Sequence, residues 1–585
     1  MKSKPLDIAH RACAVFLLLG CEAKPSKLKT PTVRAFVVSS FLWITFVPTV
    51  ALGANALGVD TLSILDFGAK GDGKNLCTSA IQQAIDAAAK AGGGVVTCPP
   101  GTWLTGTIFL KSHVTLRLQQ GCTLLGSTNI NDYPERIPAI RSYTDNYTRR
   151  SLIYAEGIDD IAIEGAGTLD GNGGLFPRKA GPKVDYLRPY LLRVINCRDV
   201  RVEGIFLKNS AMWTHHYFAC ERVRVTGVRV WAFANYNNDG IDIDGCRDVV
   251  VSKCFMASED DGITLKSTSE HPCQSIVISD CAVSSRSSCI KLGTESMGGF
   301  RDVTIVNCTV NKVPSDAPKI FGDGRNGLVG IDLISADGGC LERVNISNVT
   351  IDGMLVPIGL RLGARGRGLV DSQRVPESQR PARLPVGTFK DVSLANIVAT
   401  GGGRNCGILL LGHPGHPLQN VSLANITVRG KGGGEAKLAD RPVPERAYDY
   451  PQPVSWGNLP GYGLYARHVR GLTVSNVRLQ TAAPDARHGL VFDDVEDADL
   501  SGVACMPGKG TNAFLRLSTT RNVLVHGSQP RSSEGVFLKV DGSDSSGIVL
   551  LDNDFSQVKR VVETASDVPL NALRQAGNLG PLSAQ

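Results

Sequence analysis

Short alternations of apolar and polar residues recur along most of this chain. The segments "DVRVEGIFLKNS" (199–210), "DVVVSKCFMASE" (248–259) and "DVTIVNCTVNKV" (302–313) share one order, which is an alternating strand, a turn residue and a second strand. Strict alternation is typical of β-strands that bury one face. The chain is therefore expected to be built from many short strands that repeat a single structural unit.

One turn position measures the length of this unit. Residues taken as equivalent lie 23, 26, 27 and 27 positions apart, at Gly204, Gly227, Lys253, Asp280 and Asn307. Steps near 25 return at Gly502, Gly527 and Asn553, and longer steps between predict inserted loops around 361–388 and 431–460. Propeller repeats are longer, and the LxxLxL pattern of leucine-rich repeats is missing. We therefore expect an all-β fold, a right-handed parallel β-helix (solenoid) whose coils each give one strand to three sheets.

A capping helix is predicted ahead of the strands. In "TSAIQQAIDAAAKAGGG" (78–94), Ile81, Ile85 and Ala88 follow helical spacing, and glycines end the pattern. A solenoid needs such an element to cover its first open coil. The expected parts are an export segment (1–58), the N-terminal cap and first coils (59–126), the catalytic β-helix (127–430), and C-terminal coils with an aromatic-rich loop (431–585).

The first 58 residues are expected to direct export. Two apolar runs, 13–21 and 35–56, each follow basic residues and resemble signal sequences. Cys21 ends a possible lipoprotein cleavage box, whereas the second run can be the true signal after a later start; a retained membrane anchor is the third alternative. We favour the second run. All three versions predict a secreted, periplasmic or cell-surface protein. With a removable signal, we expect no stable membrane insertion.

Composition excludes some partners. The net charge is +7, from 62 basic and 55 acidic residues without a dense basic run, so a nucleic-acid partner is not expected. Of 16 cysteines, Cys254, Cys281 and Cys308 are each 27 apart, which favours a column of small buried side chains over disulfides. No CxxC pair occurs, and we expect no metal, no cofactor and a monomer.

Acidic residues precede two equivalent strands. Aligning "GIDIDG" (240–245) with "GITLKS" (262–267) on the first Ile stacks Asp239 on Asp261, beside Asp260. Three carboxylates then gather at the start of one sheet and are expected to face solvent. Close carboxylates repel, so one retains a proton, and hydrolysis of a glycosidic bond needs such a donor beside a base. The alternative is a ladder of turn-capping Asn and Asp residues.

These motifs resemble glycoside hydrolase family 28, the polygalacturonase-like pectin hydrolases. The resemblance covers about residues 62–430 and is strongest in "NNDGID" (237–242) and "SEDDGITLKS" (258–267). It implies an inverting hydrolase of O-glycosidic bonds in a pectin-type polysaccharide or oligosaccharide. Residue by residue, it implies the catalytic acids Asp239, Asp260 and Asp261, of which we choose Asp261 as proton donor.

Substrate contacts are expected from five residues: Asn237, Lys266, Lys291, His216 and Arg361. Lys266 and Lys291 are placed beside the acids by the strand alignment, with Lys291, Asp242 and Asp332 pointing out of the coils. Arg361 can instead belong to a solvated loop, and His216 can be a structural histidine. The aromatic-rich segment 448–469 can either form a sugar-stacking wall or pack a loop onto the solenoid.

Two departures from the family pattern concern charge. Ser288 stands where the family often has a histidine, and "GID" (330–332) stands where an Arg-Ile-Lys motif contacts the sugar carboxylate. Gly330 and Asp332 thus remove two cations and add an acid, which disfavours an anionic sugar at that spot. Two alternatives stay open: a β-helix polysaccharide lyase, which usually pairs calcium-binding acids with a basic proton abstractor, and an inactive carbohydrate-binding solenoid.

Overall fold

The computed structural model describes residues 61–580 except residues 146, 179–184, 321–325, 370–383, 403–404, 506–511 and 531–534. The chain divides into two units, Met1–Gly58 and Val59–Gln585. The predicted export segment, with Cys21 and both apolar runs, lies outside the described residues. Within the described ranges, no helix is long and apolar enough to cross a membrane.

The described residues wind into a right-handed parallel β-helix, as predicted. Each coil contributes to three columns of parallel strands, named sheets 1, 2 and 3 below. The strands of sheet 1 are Ile108–Phe109, Ser151–Glu156, Tyr190–Ile195, His215–Phe218, Ile241–Asp244, Ile263–Ser267, Ser288–Ser296, Val329–Ser335, Val356–Leu362, Ile408–Leu411, Gly461–Ser475, His488–Ser501, Ala513–Ser518, Val536–Asp541 and Arg560–Thr564.

Sheets 2 and 3 share four long strands that bend from one sheet into the other. The strands that belong to sheet 2 alone are Thr61–Ser63, Gly94–Cys98, Val114–Leu118, Asp159–Gly165, Arg198–Glu203, Glu221–Thr226, Arg247–Ser252, Cys273–Ser279, Arg521–His526, Ile548–Leu551 and Leu573–Ala576. Two long strands of sheet 1, Gly461–Ser475 and His488–Ser501, also bend into sheet 2 with their later halves. The shared strands are Phe300–Asn311, Cys340–Asp352, Thr388–Gly402 and Leu418–Gly430.

Sheet 3 completes each coil. Its own strands are Asp72–Leu76, Gly101–Thr105, Cys122–Gly126, Thr168–Asp170, Phe206–Lys208, Arg229–Ala232, Phe255–Ser258, Ala282–Ser285, Arg478–Thr481 and Ala504–Cys505. Short 3₁₀ turns occupy Ile64–Phe67, Ile130–Asp132, Gly173–Leu175, Asp185–Leu187, Ala436–Leu438 and Pro453–Trp456. The α-helix Thr78–Lys90 buries Ile81 and Ile85 against the first coils and is the predicted cap.

Interior side chains form the stacked columns that the alternation predicted. Ile241, Ile263, Ile290 and Ile331 are paired in register across four coils of sheet 1, and all are fully buried. Burial of each such side chain contributes roughly 1.5–3 kcal/mol. The predicted cysteine column is also buried, and every cysteine in the described ranges is a free thiol.

The turn between sheets 2 and 3 explains why one position sets the repeat. Lys253 (φ 56°), Asp280 (φ 56°) and Asn307 (φ 58°) all adopt the left-handed conformation that Gly, Asn and Asp tolerate. Asn307 Nδ2 donates to Asp280 Oδ1 at 3.2 Å. The ladder of amide hydrogen bonds then continues through Asn348, Asn396, Asn425 and Asn476.

The predicted register is wrong at the last of these turns. Asp552 (φ 50°) takes the left-handed position there, and Asn553, chosen from the spacing, is its neighbour. The Asn553 side chain is 1% exposed, and its amide donates to Val525 O at 2.9 Å. Two adjacent polar residues are both compatible with a turn, so a period alone cannot separate them.

Candidate active site

Sheet 1 places the acidic motifs on adjacent coils. The backbone N–H of Gly240 donates to Asp261 O at 2.8 Å, and that of Asp260 to Asn238 O at 3.4 Å. Asp239 and Asp261 therefore occupy equivalent positions, each just before a strand. The charges of Asp260 and Asp261 both act on the Asp239 carboxyl, which shows that the three acids form one electrostatic cluster.

Asp261 is held from the following coil. Ser288 N donates to Asp261 Oδ1 at 3.2 Å, and Lys291 Nζ donates to Oδ2 at 2.7 Å. Burial opposes the charge on Lys291, but Asp261 and Tyr450 keep the pKa of its ammonium well above the usual range. Both oxygens of the Asp261 carboxyl are therefore already engaged as hydrogen-bond acceptors, one of them by an ammonium.

Asp239 has a corresponding partner one coil further on. Lys266 Nζ lies 3.2 Å from Asp239 Oδ2, 3.3 Å from Asp242 Oδ1 and 3.6 Å from Glu295 Oε2. The same ammonium lies 4.6 Å from the centre of the Trp213 ring. Lys266 thus joins three acids in a buried cluster, and the alignment of strands gives no sign that Glu295 or Trp213 belongs to it.

Burial and mutual repulsion make this cluster retain a proton. Burial raises the pKa of Asp242 to about 7, against the opposing effect of Lys266. Burial and the charge of Asp242 raise the pKa of Asp239 well above its usual value. One ammonium offsets one carboxylate, so at neutral pH the Asp239–Asp242 pair shares about one proton.

A second ion-pair network borders the site. Arg365 lies 3.5 Å from Glu295 Oε1 and also bonds Asp337, to which the Tyr143 hydroxyl donates at 2.8 Å. Burial opposes ionisation of Glu295, but Lys266, Arg365 and Lys291 hold its pKa below the usual range. Tyr143 lies far from these residues in sequence, so periodicity gave no sign of its contribution.

Ser288 and Asp332 form a pair at the position of the missing family cations. Ser288 Oγ donates to Asp332 Oδ2 at 2.8 Å, and Lys291 and Asp332 are paired in register. Burial raises the pKa of Asp332 to about 7, although Lys291 and Ser288 oppose the shift. Asp332 is therefore partly protonated near neutral pH, and its Oδ1 has no hydrogen-bond partner in the part of the chain that the structure describes.

His216 is part of a buried structural network. Its side chain is fully buried, and Nε2 lies 3.1 Å from Asp244 Oδ2, which also accepts from Thr268 Oγ1. Its ring stacks between those of Tyr190 and Phe218. Burial lowers the pKa of His216, which favours the neutral ring. These contacts favour the structural alternative over direct contact with a substrate.

Arg361 anchors the segment 431–460. Its guanidinium donates to the carbonyl oxygens of Gly412 (3.0 Å), Glu445 (3.3 Å) and Arg446 (3.2 Å), and it lies 4.9 Å from the Trp456 ring centre. Burial lowers its pKa to about 10. This placement favours a role in fixing the loop over contact with a sugar.

Asn237 lies at the edge of the acidic cluster. Its backbone is left-handed (φ 53°), and Arg188 Nη2 donates to its Oδ1 at 2.9 Å. The side chain is half-buried, as is that of Asp260. Asn237 thus remains at the margin of the site, where a substrate can reach it.

The expectation that the acids face solvent is wrong for most of them. Asp239 is 2% exposed, Asp261 3% and Asp332 1%, although all lie outside the solenoid interior. Segment 431–460 contributes part of this cover. Tyr450 OH accepts from Thr294 Oγ1 at 3.0 Å, and Pro453 packs so closely on Gly359 that an added Cβ would lie 2.6 Å from Pro453 Cγ.

Comparison with known families decides the relationship. The model for glycosyl hydrolases family 28 matches residues 95–445, which is more than half of the chain. The chain belongs to glycoside hydrolase family 28. The resemblance drawn from its acidic motifs is therefore confirmed, over a range that extends somewhat beyond residue 430.

Individual family 28 relatives match shorter stretches. A probable polygalacturonase from Vitis vinifera is 35% identical over 215 residues, which is 35% of this chain and 44% of the relative. An exo-poly-alpha-D-galacturonosidase from Dickeya chrysanthemi is 40% identical over 159 residues, or 26% and 25% of the two chains. The chain thus spans less than half the length of these curated relatives.

Solved family 28 structures share the fold. An exopolygalacturonase from Yersinia enterocolitica has a TM-score of 0.55 at 21% identity, covering 79% of this chain and 78% of that one. A hyperthermoactive exopolygalacturonase from Thermotoga maritima has a TM-score of 0.51 at 23% identity, covering 63% and 87%. Both support the parallel β-helix.

Proposed function

We propose that this family 28 member is a glycoside hydrolase that cleaves O-glycosidic bonds in a pectin-type polysaccharide or an oligosaccharide derived from it. The observation that carries the proposal is the cluster of Asp239, Asp260 and Asp261 on adjacent coils, with a lysine from the following coil on each of two acids. The polygalacturonase relatives support the substrate class. We further propose a monomeric, exported enzyme.

The contacts favour a different donor from the one expected from sequence. Asp261 accepts hydrogen bonds on both oxygens, which suits a base and not a proton donor. Asp239 shares a proton with Asp242 beside the Lys266 ammonium and is buried, so it is poorly placed to reach a leaving oxygen. We assign the donor role to Asp260, whose half-buried side chain is the most accessible of the three to a leaving oxygen.

These assignments give an inverting reaction. Asp260 protonates the glycosidic oxygen as its bond to the anomeric carbon breaks. Asp261, with Asp239, takes a proton from water, and the hydroxide that forms attacks the anomeric carbon from the opposite face. Lys266 and Lys291 each place an ammonium beside one of these two carboxyls, and His216 and Arg361 hold the surrounding structure without touching the sugar.

The protonation of both lysines opposes the lyase alternative. A lyase needs a neutral basic residue to remove a proton from carbon, whereas neighbouring acids hold the pKa of Lys266 and of Lys291 well above the usual range. Both ammonium groups therefore stay charged at neutral pH. The product separates the reactions, since a lyase leaves an unsaturated sugar that absorbs ultraviolet light.

Segment 431–460 supports action at chain ends. It crosses sheet 1 on the C-terminal side of the acids, where Tyr450 bonds Thr294 and Arg361 fixes its backbone. A groove closed on that side admits a chain end more easily than a chain interior. A relative named as an exo-acting galacturonosidase agrees with this mode. Release of short products of one size from the first minutes of reaction is the expected result.

The test measures new reducing ends on pectic polysaccharides with three substitutions. Asp260→Asn and Asp261→Asn should each lower kcat by about 10²–10⁴-fold, whereas Asp280→Asn, on an exposed turn of the same coils, should not. An aryl glycoside with an acidic leaving group should restore activity to Asp260→Asn alone, because that substrate needs no proton. Azide, which can replace the attacking water, should restore activity to Asp261→Asn alone.

Two results decide between the alternatives. Hydrolysis by wild type that survives both Asn substitutions would refute the proposed site. Tight binding of a pectic glycan without any turnover would instead identify the chain as an inactive carbohydrate-binding solenoid.

A further inference from the structure

We propose that the sugar bound on the C-terminal side of the catalytic acids, beside Asp332 and Tyr450, is uncharged: a neutral sugar or an esterified uronate. This inference rests on the proposed hydrolase function and names the substrate class at one subsite. It concerns the sugar over strands Ser288–Ser296 and Val329–Ser335, and it leaves the charge of the remaining sugars open.

The first observation is that the nearby cations already have anionic or hydroxyl partners. Lys291 donates to Asp261 at 2.7 Å, Lys266 lies between Asp239 and Asp242, and Arg365 pairs with Asp337. Arg367 bonds the Tyr147 hydroxyl. To pair with the Lys291 ammonium, a sugar carboxylate in this subsite would have to compete with Asp261, which already bonds that ammonium.

The second observation is the acid at the subsite itself. Asp332 is paired in register with Lys291, whose ammonium already bonds the Asp261 carboxylate. A sugar carboxylate beside Asp332 meets repulsion from that acid, and the repulsion grows as Asp332 loses its proton.

The third observation is that the subsite offers the contacts that an uncharged sugar needs. Tyr450 keeps 51% of its surface exposed while its hydroxyl is fixed to Thr294, so its ring can pack against the apolar face of a pyranose. Asp332, one strand away, has a buried Oδ1 without a hydrogen-bond partner among the described residues, and an unpaired acceptor there favours a neighbouring hydroxyl donor over a second carboxylate. Both contacts require hydroxyl and C–H groups and no negative charge.

The test compares substrates that differ in this charge. The probes are trigalacturonate, its fully methyl-esterified form, and an oligosaccharide in which rhamnose alternates with galacturonate. The inference predicts that kcat/KM for one of the two latter probes exceeds that for trigalacturonate at least tenfold. It also predicts that Asp332→Lys lowers the ratio of kcat/KM for that probe to kcat/KM for trigalacturonate at least tenfold. Asp332→Asn should lower the same ratio by a smaller factor.

Asp544→Lys is the matched control, because Asp544 is exposed on a late coil and its substitution makes the same change in net charge. Asp332→Asn keeps the shape of the side chain and provides the result if the lysine variant does not fold. Trigalacturonate as the best substrate of the wild type, or an unchanged ratio in a folded Asp332→Asn variant, would overturn the inference.

Failure of the proposed function gives a different pattern. If no glycan is cleaved, equilibrium binding of the same three probes is measured by calorimetry. Preferential binding of an uncharged probe then supports the subsite without catalysis. Equal or tighter binding of trigalacturonate, or no binding of any probe, overturns it.

Discussion

Replacement of Lys266 by Met tests the electrostatics of the buried cluster. The change removes the ammonium that lies 3.2 Å from Asp239 and 3.3 Å from Asp242, and it keeps most of the aliphatic chain. Breaking a buried pair by removing one partner typically costs about 3–5 kcal/mol. Without the ammonium both carboxyls should stay protonated, so the folded variant should bind one more proton than the wild type.

The sign of the pH dependence follows from the raised pKa values. Burial lifts the pKa of Asp242 to about 7 and also raises that of Asp239, so folding is favoured at low pH, where unfolded carboxyls hold protons as well. Stability is then lost as the pH rises above the unfolded pKa. Above pH 7, where Asp242 of the wild type loses its proton, one additional retained proton steepens this loss by about 1.4 kcal/mol per pH unit, or about 3 kcal/mol between pH 7 and pH 9.

Calorimetric melting at pH 5 and pH 9 measures the effect. For a cooperative unit of this size, 1 kcal/mol corresponds to about 1 °C in Tm. The Tm difference between wild type and Lys266→Met should therefore widen by about 3 °C between the two pH values. Lys539→Met is the control, because Lys539 lies 3.7 Å from Asp440 in a partly exposed pair that is expected to contribute less than about 1 kcal/mol. A difference that is the same at both pH values, or no larger than in the control, would refute the shared-proton description.

Three further outcomes are expected. Because the pKa of Asp332 is about 7, kcat/KM for a uronate-containing substrate should fall as the pH rises through 7, and the pH–rate profile of Asp332→Asn should be flatter there. Arg361→Ala removes the bonds to Glu445 O and Arg446 O, so limited proteolysis should cut 431–460 faster and early products should become longer; unchanged cleavage and products would exclude Arg361 as the anchor. Asn348→Ala breaks the amide ladder and forces Ala to φ 57°, which should lower the free energy of unfolding by about 1–3 kcal/mol, whereas Asn348→Gly should lower it less in denaturant titrations.

The features that depend on coil spacing could be predicted from the sequence. A period near 25 gave the solenoid, and aligning Ile241 with Ile263 gave the register that stacks Asp239 on Asp261. The interior columns follow because apolar side chains at alternate positions must face the coil interior. The family followed from the same two acidic motifs.

The burial of the site could not be predicted from that spacing. Segment 431–460 begins 170 residues after Asp261 in sequence, and its position over sheet 1 depends on Arg361 and Tyr450 finding partners on other coils. Glu295 reaches Lys266 across adjacent coils, which a strand alignment does not measure. The environment of His216 depends on Asp244 and on flanking rings, so its residue type alone left both alternatives open.

The acids and their counter-ions come from successive coils. Asp261 and the lysine that supports it are separated by a full turn of the solenoid, as are Asp239 and Lys266. A chain that ends shortly after residue 261 would contain both acidic motifs and lack the ammonium groups of Lys266 and Lys291. During synthesis the proposed site would therefore be completed only when the next coils dock onto the growing solenoid.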